Sequence, residues 1–284
     1  MSAEATTPAP TGAGGAAAPA GDDRTTVFQW VLRSQRRSLT LWGLALAAVA
    51  SLYITIFPAM GAEELQATTE SLPQGMIEAF GYQDIGTAAG YINSSVYGLL
   101  GPILLLVFGI GLGARLIAGE EQRGTLELEL TGPTSRRNLY LQRLEALVVN
   151  VVVLVVVIGV MSAVLITALD LDVAMSNLAQ TTLGLALLVE AFSLVSLAVG
   201  AATGRRALAL GAAAGLAVAS WALDAIGPTI DAGWMTAVSP FSWFGADTPL
   251  ANGSDPLGLV LLALLGVVAG AAGMVAFERR DLMV

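Results

Sequence analysis

The sequence predicts an all-α polytopic membrane protein with six transmembrane helices, and three observations carry that expectation. Hydrophobic residues make up 55% of the 284 and charged residues only 12%, more apolar surface than the core of one soluble domain can hide. The apolar residues fall into six runs, each near the ~20 residues that a helix needs to cross a bilayer core. All thirteen basic residues are arginines, and they occupy only alternate connections, the asymmetry expected when charge sets the orientation of spans.

Taken in order, residues 1–22 are mostly Ala, Gly, Pro and Thr, with too little apolar mass to offset the entropy of ordering, and are expected to be a disordered tail. Residues 23–38 predict a basic amphipathic helix. There Val27, Phe28, Val31 and Leu32 share one helical face and Gln29, Arg33, Arg36 and Arg37 fall largely on others. Such a helix suits a membrane surface, with Trp30 at headgroup depth and Arg33 reaching outward; the same arginines also serve simply as the positive flank of the first span.

The six-helix domain then occupies residues 39–284. Its spans run from about Leu39 to Met60, Asn93 to Ala118, Leu144 to Leu169, Leu178 to Thr203, Ala207 to Leu223 and Leu257 to Phe277. Of the outer segments, residues 61–92 carry Glu63, Glu64, Glu70, Glu78 and Asp84 with no basic residue. Residues 224–256 are rich in Trp, Phe, Pro and Gly, which suits an interface belt or a broken re-entrant helix pair. By the positive-inside rule both termini and the charged stretch between spans two and three face the cytoplasm.

Several functions are excluded by what the chain lacks. Without Cys there is no disulfide, thiolate nucleophile or Cys-ligated metal, and without His there is no His-based zinc site, triad or haem ligation. Without Lys there is no phosphate-binding GxxxxGK[ST] loop, so the chain is not its own P-loop ATPase. No cofactor and no nucleic-acid partner are expected; the lipid bilayer is.

The charged stretch RLIAGEEQRGTLELELTGPTSRR, Arg115 to Arg137, is the longest between two apolar runs. Glu120 and Glu121 would favour a helix N-terminus through the dipole, and Gly132-Pro133 supplies a stop. Against a helix, TLELEL alternates with period two, and Gly124 inside a helix costs ~1 kcal/mol. This stretch, with Pro133 and Ser135-Arg136, resembles the cytoplasmic motif of the ABC-2 family of permeases, the membrane subunits of ABC exporters. AFGYQDIGTAAGY before span two, SPF at 239–241 and the terminal FERRDL at 277–282 agree with it. Glu129 and Thr134 depart from the pattern, where Leu and a small aliphatic are more usual.

The resemblance implies that residues 119–136 form a short coupling helix seated in a groove of a separate ATPase, with Glu120, Glu121, Arg123, Gly124, Thr125, Leu126, Leu128, Pro133 and Arg136 as the coupling residues. It also implies that the N-terminal helix, with Phe28, Trp30, Val31 and Arg33, lies along the membrane and touches the same ATPase. Two ATPase subunits, carrying ATP and Mg, and a second permease chain are implied as partners in a bacterial inner or plasma membrane. The spans are mainly Ala, Leu, Val and Gly, which favours a hydrophobic drug-like, antibiotic-like or lipid-like cargo moving outward.

Glu190 is the one carboxylate well inside a span, where an ionisable group is expensive and by default a functional candidate. It either lines the pathway or hydrogen-bonds between helices, with Asn150 and Ser193 as candidate partners. A proton-coupled secondary transporter using Glu190, and a membrane anchor that moves nothing, are the rival expectations.

Overall fold

The computed structural model describes residues 23–60, 65, 77, 84–124, 135–245 and 248–280, with side chains from residue 35 onward. Among them there is no strand, and six helices are long and apolar enough to cross a membrane. These are α1 (Asp23–Ile56), α2 (Ala88–Gly119), α3 (Arg136–Ala168), α4 (Met175–Thr203), α5 (Arg206–Ile226) and α9 (Pro256–Arg279). Between α5 and α9 stand three short helices, α6 (Gly233–Ala237), α7 (Pro240–Gly245) and α8 (Pro249–Asn252).

All six expected spans are present, and several begin earlier than a count of apolar residues suggests, because caps set their ends. Thr87 Oγ1 accepts from the Gly90 amide at 3.0 Å and opens α2 ahead of Asn93. Ser135 Oγ accepts from the Asn138 amide at 3.2 Å and opens α3 well before Leu144. Asp255 caps α9, accepting from Leu257 N and Gly258 N, with Pro256 in the first turn. At the other extreme α4 stops at Gly204, whose φ of +65° favours glycine, and only Gly204 and Arg205 lie between Thr203 and the start of α5.

Residues 23–38, expected as a separate surface helix, continue directly into the first span within α1. No Gly or Pro interrupts the chain between Asp23 and Trp42, so nothing in the sequence breaks the helix where the apolar residues begin.

α2 departs from regular α geometry twice, in the wider π turns Asn93–Leu100 and Arg115–Gly119. The first has a cause in the sequence. Pro102 lacks an amide and its ring crowds the preceding turn, and the Gly101 amide reaches back five residues to the Val96 carbonyl. The second π turn runs straight into Glu120, and such turns are frequent at functional positions.

α4 is the central helix, packed against α2, α3, α5 and α9, while α1 leans on α3. Small residues let the backbones approach, the usual means of helix association in lipid. A Cβ on Gly109 of α2 would stand 3.3 Å from Val189 Cγ1, and one on Gly113 would stand 3.1 Å from the Leu197 amide. Ser196 Oγ then donates to the Ile110 carbonyl at 2.8 Å. The described residues between α5 and α9 form short helices that pack on α4, α5 and α9. Ser239 Oγ donates to the Ser220 carbonyl at 2.8 Å, Asn177 Nδ2 donates to the Ala251 carbonyl at 2.8 Å, and Phe241 meets Phe192 with ring centroids 6.0 Å apart.

Candidate functional site

The alternation of the spans brings the ends of α2, α4 and α9 and the starts of α3 and α5 to one end of the bundle, and the arginines gather there. Glu120 and Glu121, expected to open a coupling helix, instead stand at the C-terminal end of α2. The helix dipole disfavours negative charge at that end, and two arginines compensate. Arg123 donates from Nη2 to Glu120 Oε1 at 2.5 Å and from Nε to the Gly119 carbonyl at 3.0 Å. Arg280 holds Glu121 with both terminal nitrogens, Nη1 on Oε2 at 3.1 Å and Nη2 on Oε1, the forked geometry that makes an arginine–carboxylate pair strong.

Arg280 binds more than Glu121. Its Nη1 also donates to the Ala201 carbonyl of α4 at 3.2 Å, and Arg136 Nη1 donates to the carbonyl of Arg280 itself at 2.8 Å. One residue just past α9 therefore clasps the ends of α2 and α4 and the start of α3. The pair is largely shielded, with side-chain exposures of 18% for Arg280 and 20% for Glu121. Gly204 makes room for it: a Cβ there would stand 2.7 Å from Glu121 Oε1 and collide with Arg280 as well.

Just inside this end lies Arg143, fully buried at 1% exposure. Its Nη1 donates to the Leu116 carbonyl within the second π turn. Glu145, two residues on, is exposed.

Beyond Glu121 the chain turns through Gln122–Gly124, with Arg123 exposed and Gly124 at φ +70° with no described residue within 4 Å of its Cβ position. Thr125, Leu126, Leu128 and Pro133 lie outside the described residues, and so does the choice between strand and helix for TLELEL. Phe28, Trp30, Val31 and Arg33 lie in the first turns of α1, outside the described side chains. Of the expected coupling residues, then, Glu121 and Arg136 are brought together through Arg280, and Glu120 and Arg123 pair locally. Arg280, Gly204 and Arg143 were not singled out for this role by sequence; their one signal is that arginines and a glycine sit at adjoining span ends.

Glu190 lies midway along α4, buried at 8% exposure. The candidate partners do not serve it. Asn150 Nδ2 donates one of its two hydrogens to the Ala146 carbonyl at 2.6 Å and Ser193 Oγ donates its one hydrogen to the Val189 carbonyl at 2.6 Å, both within their own helices. Both Glu190 carboxyl oxygens are sealed from solvent and meet no hydrogen-bond partner among the described residues. The residue lines a cavity of about 410 Å³ between α3, α4 and α9. A separate cavity of about 570 Å³ lies between α2 and α5, lined by Pro102, Ile103, Val107, Leu210, Ala214 and Trp221 among others. No group of three or more His, Cys, Asp or Glu suited to a metal ion is found among the described residues.

A sequence model of the family described as ABC-2 family transporter protein matches residues 27–282, nearly the whole chain. No curated protein matches it.

Proposed function

The chain belongs to the ABC-2 transporter family, and from that membership we propose that it is the permease subunit of an ATP-driven exporter. It is a multi-pass membrane protein. In this proposal it works as a pair of permease chains in a bacterial cell membrane, both termini in the cytoplasm, with two ATPase subunits docked beneath the arginine-rich end. ATP and Mg belong to those partners. The cargo is a hydrophobic drug-like, antibiotic-like or lipid-like molecule carried outward by alternating access.

The observation that carries the coupling role is the clasp at Arg280. Closure of two ATPases is useful only if a stiff joint passes it to the spans, since packed elements switch as units. Residues 119–136 leave α2 and enter α3 at points that Glu121 and Arg136 tie, through Arg280, to α4 and α9. A push on that segment therefore meets four spans at once. Arg123, exposed beside the turn at Gly124, is left to face the ATPase.

The test is co-purification and ATP hydrolysis of the complex, wild type against Glu121→Arg with Leu126→Asp. Loss of docking and turnover by a variant that still inserts supports the coupling role. Unchanged docking and hydrolysis would reduce residues 119–136 to a solvated loop and remove the proposal.

A further inference from the structure

The cavity that Glu190 lines is not accounted for by coupling to an ATPase, nor by the cavity between α2 and α5, with which it shares no lining residue. It runs along α9 from Leu262 to Met274, about 18 Å at 1.5 Å per residue. On α3 it is lined from Tyr140, one turn inside the arginine-rich end, to Val148. Glu190, 13 residues from the end of α4 at Thr203, stands about 20 Å in, at the deep end.

The lining is otherwise apolar. Among the described residues Tyr140 brings the only other side-chain nitrogen or oxygen, and its hydroxyl donates to the Gly270 carbonyl at 2.9 Å. No basic residue lines the cavity among the described residues. A carboxyl group in such a place, with neither oxygen partnered among the described residues, lacks donors that an unfilled apolar wall cannot supply. A buried polar group left unmade in this way costs about 1–3 kcal/mol, more when charged. Val267, on the rim, is 67% exposed, so the groove opens sideways to lipid.

We propose that this groove between α3, α4 and α9 is a binding site for a lipophilic primary amine: its hydrocarbon body fills the apolar length of the groove, and the Glu190 side chain, whose oxygens are covered in the empty groove, turns to another rotamer to take up the ammonium. The charge and the shape select this class together. A phospholipid would bring its phosphate beside a carboxylate in hydrocarbon, where like charges repel hardest. A neutral chain would fill the groove yet leave both oxygens unmade, and a quaternary ammonium has charge without an N–H to donate. The site stands apart from the proposed coupling: it requires neither the ATPase nor transport, and a failure of the exporter proposal leaves it untouched.

The test is equilibrium binding of radiolabelled dodecylamine to the full-length chain in phosphatidylcholine nanodiscs. Wild type is expected to bind saturably, and Glu190→Gln, which keeps shape and removes charge, to bind at least tenfold more weakly. Unlabelled dodecanol and dodecyltrimethylammonium should compete poorly with the amine on the wild-type chain. Ala263→Phe, which fills the groove and leaves Glu190 itself unchanged, should also abolish binding, and it decides the matter if Glu190→Gln does not fold. Equal affinity of Glu190→Gln, retained binding by a folded Ala263→Phe, effective competition by dodecanol, or no saturable binding overturns the site.

Discussion

Arg280 is the residue on which most of the arginine-rich end depends, because it satisfies a carboxylate that α2 by itself would repel. Charge-assisted bonds of this kind contribute about 1.5–3 kcal/mol. Arg280→Ala is expected to leave the ATPase docked and hydrolysing while transport per ATP falls several-fold, read as cargo moved against phosphate released in proteoliposomes. The reversed pair, Glu121→Arg with Arg280→Glu, should recover much of that ratio, which a purely structural defect would not allow. If Arg280→Ala transports with undiminished efficiency, the clasp carries no motion. None of this pairing is legible in a single sequence, since 159 residues separate the two partners. Glu190 is the opposite case. Its isolation inside an apolar run is visible at once, because nothing else charged occurs at that depth, whereas its lack of partners depends on Asn150 and Ser193 turning to their own helices.

At the scale of the element, the number and order of the spans are legible because lipid demands long apolar helices with internally satisfied backbones. Their ends are less so. Caps such as Ser135 and Thr87 extend α3 and α2 beyond the apolar runs, and the absence of Gly and Pro between Asp23 and Trp42 lets α1 run outward past Arg36 and Arg37. The π turns of α2 are hidden as well: Pro102 warns of one irregularity, but no residue announces the second. The seam between α2 and α4 offers a test of packing. Gly109→Leu should lower the thermal midpoint of the purified chain, with overpacking costing about 1–3 kcal/mol, because Val189 and Ser193 occupy the space. Gly111→Leu, two residues away with nothing within 4 Å, should melt close to wild type. Equal melting of the two variants would mean that the close approach of α2 to α4 contributes nothing.

Across the whole molecule, burial is uneven: α2 and α4 are the most enclosed spans, whereas α1, α5 and α9 leave most of their surface outward. On α5 the sequence Gly211-Ala-Ala-Ala-Gly215 presents two glycines with nothing within 4 Å of either. Spaced four apart, they form the kind of face on which helices in lipid meet closely. If the proposed second permease docks there, Gly211→Leu with Gly215→Leu should lower the dimer fraction in cross-linking while leaving the melting of the single chain unchanged. An undiminished dimer would move that contact elsewhere. The Gly204–Arg205 link reaches beyond the finished fold, to the making of the protein. α5 is the least apolar of the six spans, and only those two residues separate it from α4. On the ribosome it has no slack with which to settle in the bilayer alone. In the orientation proposed above it would enter as the second arm of a hairpin that α4 leads, with Arg205 and Arg206 holding the bend on the side of synthesis, so a defect that slows the insertion of α4 would strand both helices together.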